Sequence, residues 1–430
     1  MRWISKTRAG ALQFVLFIGA LIAILLMAFL LLAHTHNHFE KKTDVLLHLI
    51  KKANYGFATS LGEDVPLNGS LDLQDQDIPG ISVQVRREFW GIFEKRTIRT
   101  AHGNTQYHKT ALVGAREIQE FPALYIRDRQ RPVILAGNAR VTGTAYLPEQ
   151  GLRMGNIHGH SYNGSRLLFG QRKKSTAVLP QPSPELKAQI ERLCTGGFVP
   201  EGEVLSRIPK GEVGNSFSSP TLIFRDRVIR LQQTALSGNI VVSASHKIIV
   251  ESTAQLRDII LLAPEIIIKD QVKGYFQALA TKSISVGKGC QLAYPSALVV
   301  KKREIPGSGP NGQGNPYGSR VPIIQMDSGT ELRGVLMVLE NTEESQYTPQ
   351  IRIAENAMVL GEVYCSKNLE LKGRVSGSVT TDSFIALEKG NIYQNHLYNG
   401  HINGENLAPA YVGLLMAGRE ANKKVMKWLY

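Results

Sequence analysis

The pattern of apolar and polar positions divides the chain into two regimes. The first is a single unbroken run, Phe14 to Ala33 (FVLFIGALIAILLMAFLLLA), with no charged or strongly polar side chain. At about 1.5 Å per residue, a helix of that length spans a hydrocarbon core of about 30 Å. It is longer than the apolar stretch of a cleavable signal peptide, and His34, Thr35, His36, Asn37 and His38 follow it. An uncleaved membrane anchor over 14–33 is therefore expected, after a short basic tail over 1–13 carrying Arg2, Lys6 and Arg8. Val45, Leu46, Leu49 and Ile50 then share one helical face among lysines. They predict a juxtamembrane helical stalk over 34–56 that ends near Asn54 and Gly56.

The second regime is a recurring pair of apolar residues with one residue between them. Such pairs start at Ile229, Ile248, Ile266, Ile284, Ile324, Ile351, Leu369 and Ile385. Uninterrupted steps are 16–19 residues. That is too short for a helical repeat of about 33 residues or more. It suits one turn of a parallel β-helix, in which inward Ile, Leu and Val stack from turn to turn and no single turn is stable alone. The fold class expected is mainly β: a right-handed parallel β-helix, or β-solenoid, of about 18 residues per rung over 220–409. Insertions at 304–321 (within PGSGPNGQGNPYGS and its flanks) and 341–350 interrupt it.

Other segments complete the plan. Alternation at Ile81, Val83 and Val85, then Phe89, Trp90, Ile92 and Phe93, with turn signals at Pro66–Gly69 and Ile78–Gly80, predicts a small β-rich domain over 57–130. The Phe89–Phe93 cluster reads as packed core, with a partner-binding patch as the alternative. Val133-Ile-Leu135 and Gly137–Ala145 have the style of the repeat and predict early rungs over 131–175, with a loop around His158–Gly164. Ser183 as N-cap and Pro184 in the first turn predict a short helix to about Leu193, within a helix-and-linker segment over 176–200. The last segment, 410–430, is expected to cap the final rung.

Two resemblances follow from these residues. The run from Ile351 to Val379, with apolar pairs followed by Gly-x-Val corners, resembles the bactofilins, polymer-forming bacterial β-helices; the likeness covers 351–404 and loosely 229–404. It implies a right-handed β-helix and end-to-end self-association. The N-terminal segment, a short basic leader and Gly10 before an apolar helix, resembles a type IV pilin or pseudopilin start. Those families usually carry Glu at the fifth position after the Gly, where this chain has Val15.

Composition refines the picture without redirecting it. The net charge of +14 favours anionic partners, but Lys and Arg are spread along the chain and lack the aromatic interleaving of a nucleic-acid module, so no nucleic acid is expected. Cys194, Cys290 and Cys365 are too sparse for a disulfide framework and read as buried thiols. Asp327, Glu331, Glu355, Glu362, Glu370 and Asp382 are the carboxylates a β-helix glycan lyase or hydrolase would need, yet no catalytic motif surrounds them. His158 with His160, and His34, His36 and His38, have no evident further metal ligand. No catalytic, cofactor-binding or metal residue is assigned.

The expectation from sequence is a single-pass protein of the bacterial inner membrane with its main domain extracytoplasmic. It would be non-enzymatic and without a cofactor, a scaffold of a cell-envelope or secretion assembly. Its partners would be the lipid bilayer through the helix, other proteins or its own copies, and an anionic envelope glycan. A polysaccharide-active enzyme and a minor-pilin-like assembly component are the alternatives.

Overall fold

The computed structural model describes residues 9–73, 80–117, 121–194, 201–205, 207–208, 210–302, 323–340, 347–418 and 421–429. The insertion expected at 304–321 and most of the one at 341–350 lie outside these residues, as do most of the basic tail and the end of the 176–200 segment. The fold is mainly β, with one long N-terminal apolar helix.

That helix, α1, runs from Ala9 to Gly62 without a break. It is exposed from Gly10 to Asp44. It then turns one stripe inward: Leu49, Ala53, Phe57 and Ser60 are all buried and recur at helical spacing. The helix was expected to stop near Gly56, and the structure corrects this. Gly56 is a point of close approach, because a Cβ there would sit 2.8 Å from Val83 Cγ1. Its missing side chain lets the helix axis come down onto a sheet.

The sheet beneath α1 is antiparallel, in the order Ser70–Leu73, Ser82–Trp90, Phe93–His102, Thr105–Glu117, Ala421–Leu429. Val83, Val85, Ile98, Ala111 and Val113 form its core with Ala53 and Phe57 of α1. The last strand comes from the far end of the chain: Leu429 pairs with Thr110 and Lys424 with Gly114. Residues 421–429 therefore complete the N-terminal sheet, where a cap on the last rung was expected. Val425 and Trp428 pack on the core beneath α1, with the Trp428 ring 4.8 Å from that of Phe57, while Met426 and Leu429 face the opposite side.

Most of the remaining strands join, almost all by parallel pairing, into one closed array; Val133–Ala136, Leu152–Met154 and His396–Tyr398 form a separate three-stranded sheet, and Asn156–Ile157 pairs only with His160–Ser161. Ile229 pairs with Ile248, Ile248 with Ile266, Ile266 with Ile284, and Ile284 with Ile324. Ile324 then pairs with Ile351, and Ile351 with Leu369. These residues lie in one continuous hydrophobic core. The next partner of Leu369 is Phe384, one residue before the Ile385 expected from the spacing. The register slips between Cys365 and Asn368, and the fully buried Phe384 fills the core position. Ile385 instead pairs with Gln394 in an antiparallel hairpin.

The segment 131–175 was expected ahead of residue 220. The array places it and the preceding strand after residue 374. Val379 pairs with Leu124, Ile402 with Val141, Leu124 with Ala145, and Ala145 with Arg172. At the other end, Val204 pairs with Ile223 and Val213 with Leu236.

One side of the array is buried on both faces. Leu261, Leu298 and Leu336 point into its interior. Their neighbours Ile260, Leu262, Val299 and Met337 point outward into a second core. There they meet the sheet and a second helix, α2 (Pro184–Cys194).

Candidate functional site: the anchored helix and the joint it leads to

The functional geometry begins with α1. It is long and apolar enough to cross a membrane, the single such helix among the described residues. The apolar residues of its first half have no protein partner, and Leu16, Leu25 and Phe29 are each more than half exposed. Between this stretch and the sheet the helix continues through His34, His36, His38 and Lys41, all exposed. His36 and Glu40 lie 3.7 Å apart as an i,i+4 pair on its surface. At the sheet, Thr100 Oγ1 donates to the Leu49 carbonyl at 3.1 Å, and Lys109 sits 3.9 Å above the Trp428 ring. Helix, sheet and chain terminus are one packed unit.

That unit meets the array at the hairpin tip Trp90-Gly91-Ile92. Gly91 has a φ of +62°, a left-handed conformation that favours glycine, and its missing Cβ leaves room for the Gln277 side chain. Gln277 Nε2 donates to the Trp90 carbonyl and the Ile92 amide donates to Gln277 Oε1, both at 2.8 Å. Gln189 of α2 donates to the Gly91 carbonyl at 3.2 Å. The tip's exposed backbone groups, which would otherwise be buried unpaired, are therefore taken up by two buried glutamines. Trp90 Nε1 donates to the Asp258 carbonyl at 2.8 Å, and Lys427 donates to the Asp258 carboxylate at 2.6 Å. Burial raises the Asp258 pKa, and Lys427 opposes that rise. The Phe89–Phe93 cluster is thus internal: Trp90, Ile92 and Phe93 are buried against the array.

Behind the joint lies a buried ion cluster. Glu94 accepts from Arg96 Nε at 2.6 Å and Arg87 Nε at 2.9 Å, with Lys423 at 3.4 Å. Arg87 also reaches Glu185 on α2, its Nη1 donating at 3.1 Å. Burial pushes the Glu94 pKa up, but the charges of Arg96, Lys423 and Arg87 outweigh it and hold the carboxyl below its usual range. Lys423 is itself held below the usual lysine range by burial, with Arg96 and Arg87 adding to the effect.

The carboxylates considered for catalysis do not converge on one open site. Glu370 accepts from Arg352 at 2.6 Å, Asp382 from Arg129 at 2.8 and 2.6 Å, and Glu331 from Arg333 at 2.5 Å. Glu362 accepts the Leu414 amide at 2.9 Å and the Tyr411 hydroxyl at 3.3 Å. Asp327 accepts from Gln325 at 2.8 Å, and Glu355 is exposed. His158 and His160 stand against different rings, Tyr393 and Tyr398. No group of three or more His, Cys, Asp or Glu among the described residues could hold a metal ion. The three cysteines are free and buried; burial pushes Cys194 and Cys365 up to about 12 and raises Cys290.

The spacing of apolar pairs did not reveal the joint, although a signal was present. The continuous apolar runs Ala297–Val300 and Val335–Leu339 break the alternation found elsewhere, and such runs mark strands covered on both faces.

No family model matches the chain, and no curated protein matches it in sequence. Among solved structures, the competence-associated pilin ComZ from Thermus thermophilus aligns over 86% of this chain and 89% of its own, with 8% identity and a TM-score of 0.22. That overlap carries no argument about fold or function.

Proposed function

We propose that this chain is a non-enzymatic scaffold of a bacterial cell envelope, tethered in the inner membrane by α1 with the rest of the chain outside the cytoplasm. In this reading α1 also packs against neighbouring subunits in a pilin-like assembly, and the parallel array is a right-handed β-helix held out as a rigid presenting surface. One observation carries the proposal: a single unbroken helix has two environments. Its first half is apolar and unpartnered, and its second half is core to a folded sheet. A simple tether needs about 20 apolar residues and can hang on a loose linker. Here about 50 residues of continuous helix fix the direction of the apolar segment relative to the domain. That rigidity suits an element whose lateral contacts set the geometry of an assembly. The β-helix reading draws support from Ile, Leu and Val stacking in register through successive steps of 18 or 19 residues.

Single cysteines at Leu16, Leu25 and Phe29 test the assembly. The native thiols are buried, so crosslinks report the introduced positions. Oxidation in native membranes should give disulfide-linked dimers at one face of α1. Monomer at all three positions in intact membranes would leave a plain anchor and refute the assembly.

A further inference from the structure

A cleft of about 220 Å³ lies between α2, the 127–129 turn and the array, lined by Arg127, Arg129, Lys187, Lys301, Lys367 and Glu340, with Glu191 at its side. It is smaller than the roughly 300–1,000 Å³ that drug-sized ligands occupy, so it suits one small unit. The two arginines are held in place from behind. Arg129 grips Asp382 through two hydrogen bonds, and Arg127 Nε donates to the Ala177 carbonyl at 2.5 Å. Lys187, Lys301 and Lys367 have no carboxylate partner among the described residues. Positive charge therefore exceeds negative on the lining, and field lines concentrate in such a recess.

The decisive group has the opposite sign. The Glu340 side chain is only 2% exposed, and Lys302 reaches its Oε1 at 3.3 Å. Its Oε2 is buried with no hydrogen-bond partner among the described residues. A buried carboxylate oxygen without a donor is costly, because it has lost its water and gained no partner in return. Sulfate would not relieve it, since it brings only acceptors, and hydrogen phosphate, which has a P–OH donor, is small for a cleft of this volume. A ligand that does so carries a hydroxyl donor as well as an anionic group for the lysines and arginines. Tyr364 and Gln181, hydrogen-bonded to each other at 3.2 Å on the same wall, add neutral polar contacts.

We propose that this cleft binds one acidic sugar unit, a uronate or similar hydroxylated anion of a glycan. Its carboxylate faces Lys301, Lys187 and Arg127, and a ring hydroxyl donates to Glu340 Oε2. The site stands on the cleft alone and does not depend on how α1 assembles.

The test uses the full chain in zwitterionic nanodiscs, titrated calorimetrically with a galacturonate trisaccharide, maltotriose, inorganic phosphate and a single-stranded oligonucleotide. The uronate should bind and maltotriose should not. Lys301→Ala should weaken uronate binding at least tenfold. Glu340→Gln should weaken uronate at least fivefold while leaving phosphate unchanged or tighter. Should either variant lose the native circular dichroism, Lys187→Ala on the surface of α2 carries the same tenfold expectation. Equal binding of maltotriose, phosphate binding as tight as uronate, displacement of uronate by the oligonucleotide, or no uronate binding would each overturn the proposal.

Discussion

Replacing Gln277 with leucine tests whether the sheet and the array are held as one body. The side chain is 3% exposed, and leucine is of similar size and shape, so the change removes polarity more than volume. The Ile92 amide loses its 2.8 Å acceptor and remains buried, at about 1–3 kcal/mol for an orphaned donor. The Trp90 carbonyl loses the 2.8 Å donor; a carbonyl has a second lone pair, so this loss is an ordinary net hydrogen bond of about 0.5–1.5 kcal/mol. Together the joint should weaken by about 2–4 kcal/mol. Hydrogen exchange at residues 89–93, followed by mass spectrometry on the full chain in detergent, reads this locally. A loss of about 2–4 kcal/mol should raise the open population of the tip roughly 30- to 1,000-fold, with exchange in the Ile266–Ile284 ladder unchanged. Gln255→Leu, on the exposed outer face, serves as the control and should stay within about 0.5 kcal/mol. If Gln277→Leu and Gln255→Leu gave the same protection at 89–93, the tip would not depend on these hydrogen bonds and the reasoning would fail.

Three other outcomes follow from the same geometry. Gly56→Leu should loosen α1 from the sheet by about 1–3 kcal/mol through overpacking against Val83, seen as faster trypsin cleavage at Lys51 and Lys52; Gly62→Ala, with nothing within 4 Å, should not. Ile266→Ala, in the middle of the ladder, should destabilise by about 2–5 kcal/mol in urea melts, and a loss below 1 kcal/mol would contradict a close-packed interior. For Glu94, the folded pKa lies below the ordinary value. Its contribution to stability is therefore fully present above the unfolded pKa of about 4.3 and is lost as pH falls through the folded value. Melting temperature should drop steeply below about pH 4.3 in the native chain and less steeply in Glu94→Gln.

The sequence shows some parts of this molecule more clearly than others, for physical reasons. The anchor is legible because a bilayer demands an uninterrupted apolar run. The ladder from Ile229 to Leu369 is legible because side chains in strands alternate and the pairs recur. Phe384 was missed because a slip between Cys365 and Asn368 moves the register by one residue, and spacing alone favours Ile385. Gly56 was misread because a glycine that ends a helix and one that lets a helix approach a sheet look alike until the neighbour is known. The positions of 131–175 and 421–429 were misread because a periodic pattern identifies a strand but not its partner. The cleft at Glu340 was invisible, since its cations come from four separate stretches of chain.

The pairing of Leu429 with Thr110 also concerns timing. Many elongated β proteins can begin folding at one end while the other is still being made. Here the fifth strand of the first sheet is synthesised long after its partner Thr105–Glu117, and residues 124–126 wait for residues 379–381. Contacts of such long sequence separation form slowly. While they wait, the strand Thr105–Glu117 is left as an unpaired edge of that sheet. A chain cut short before Ala421 would therefore lack a strand of its first sheet. Until residues 421–429 arrive, that edge stays open to pairing with any other exposed strand.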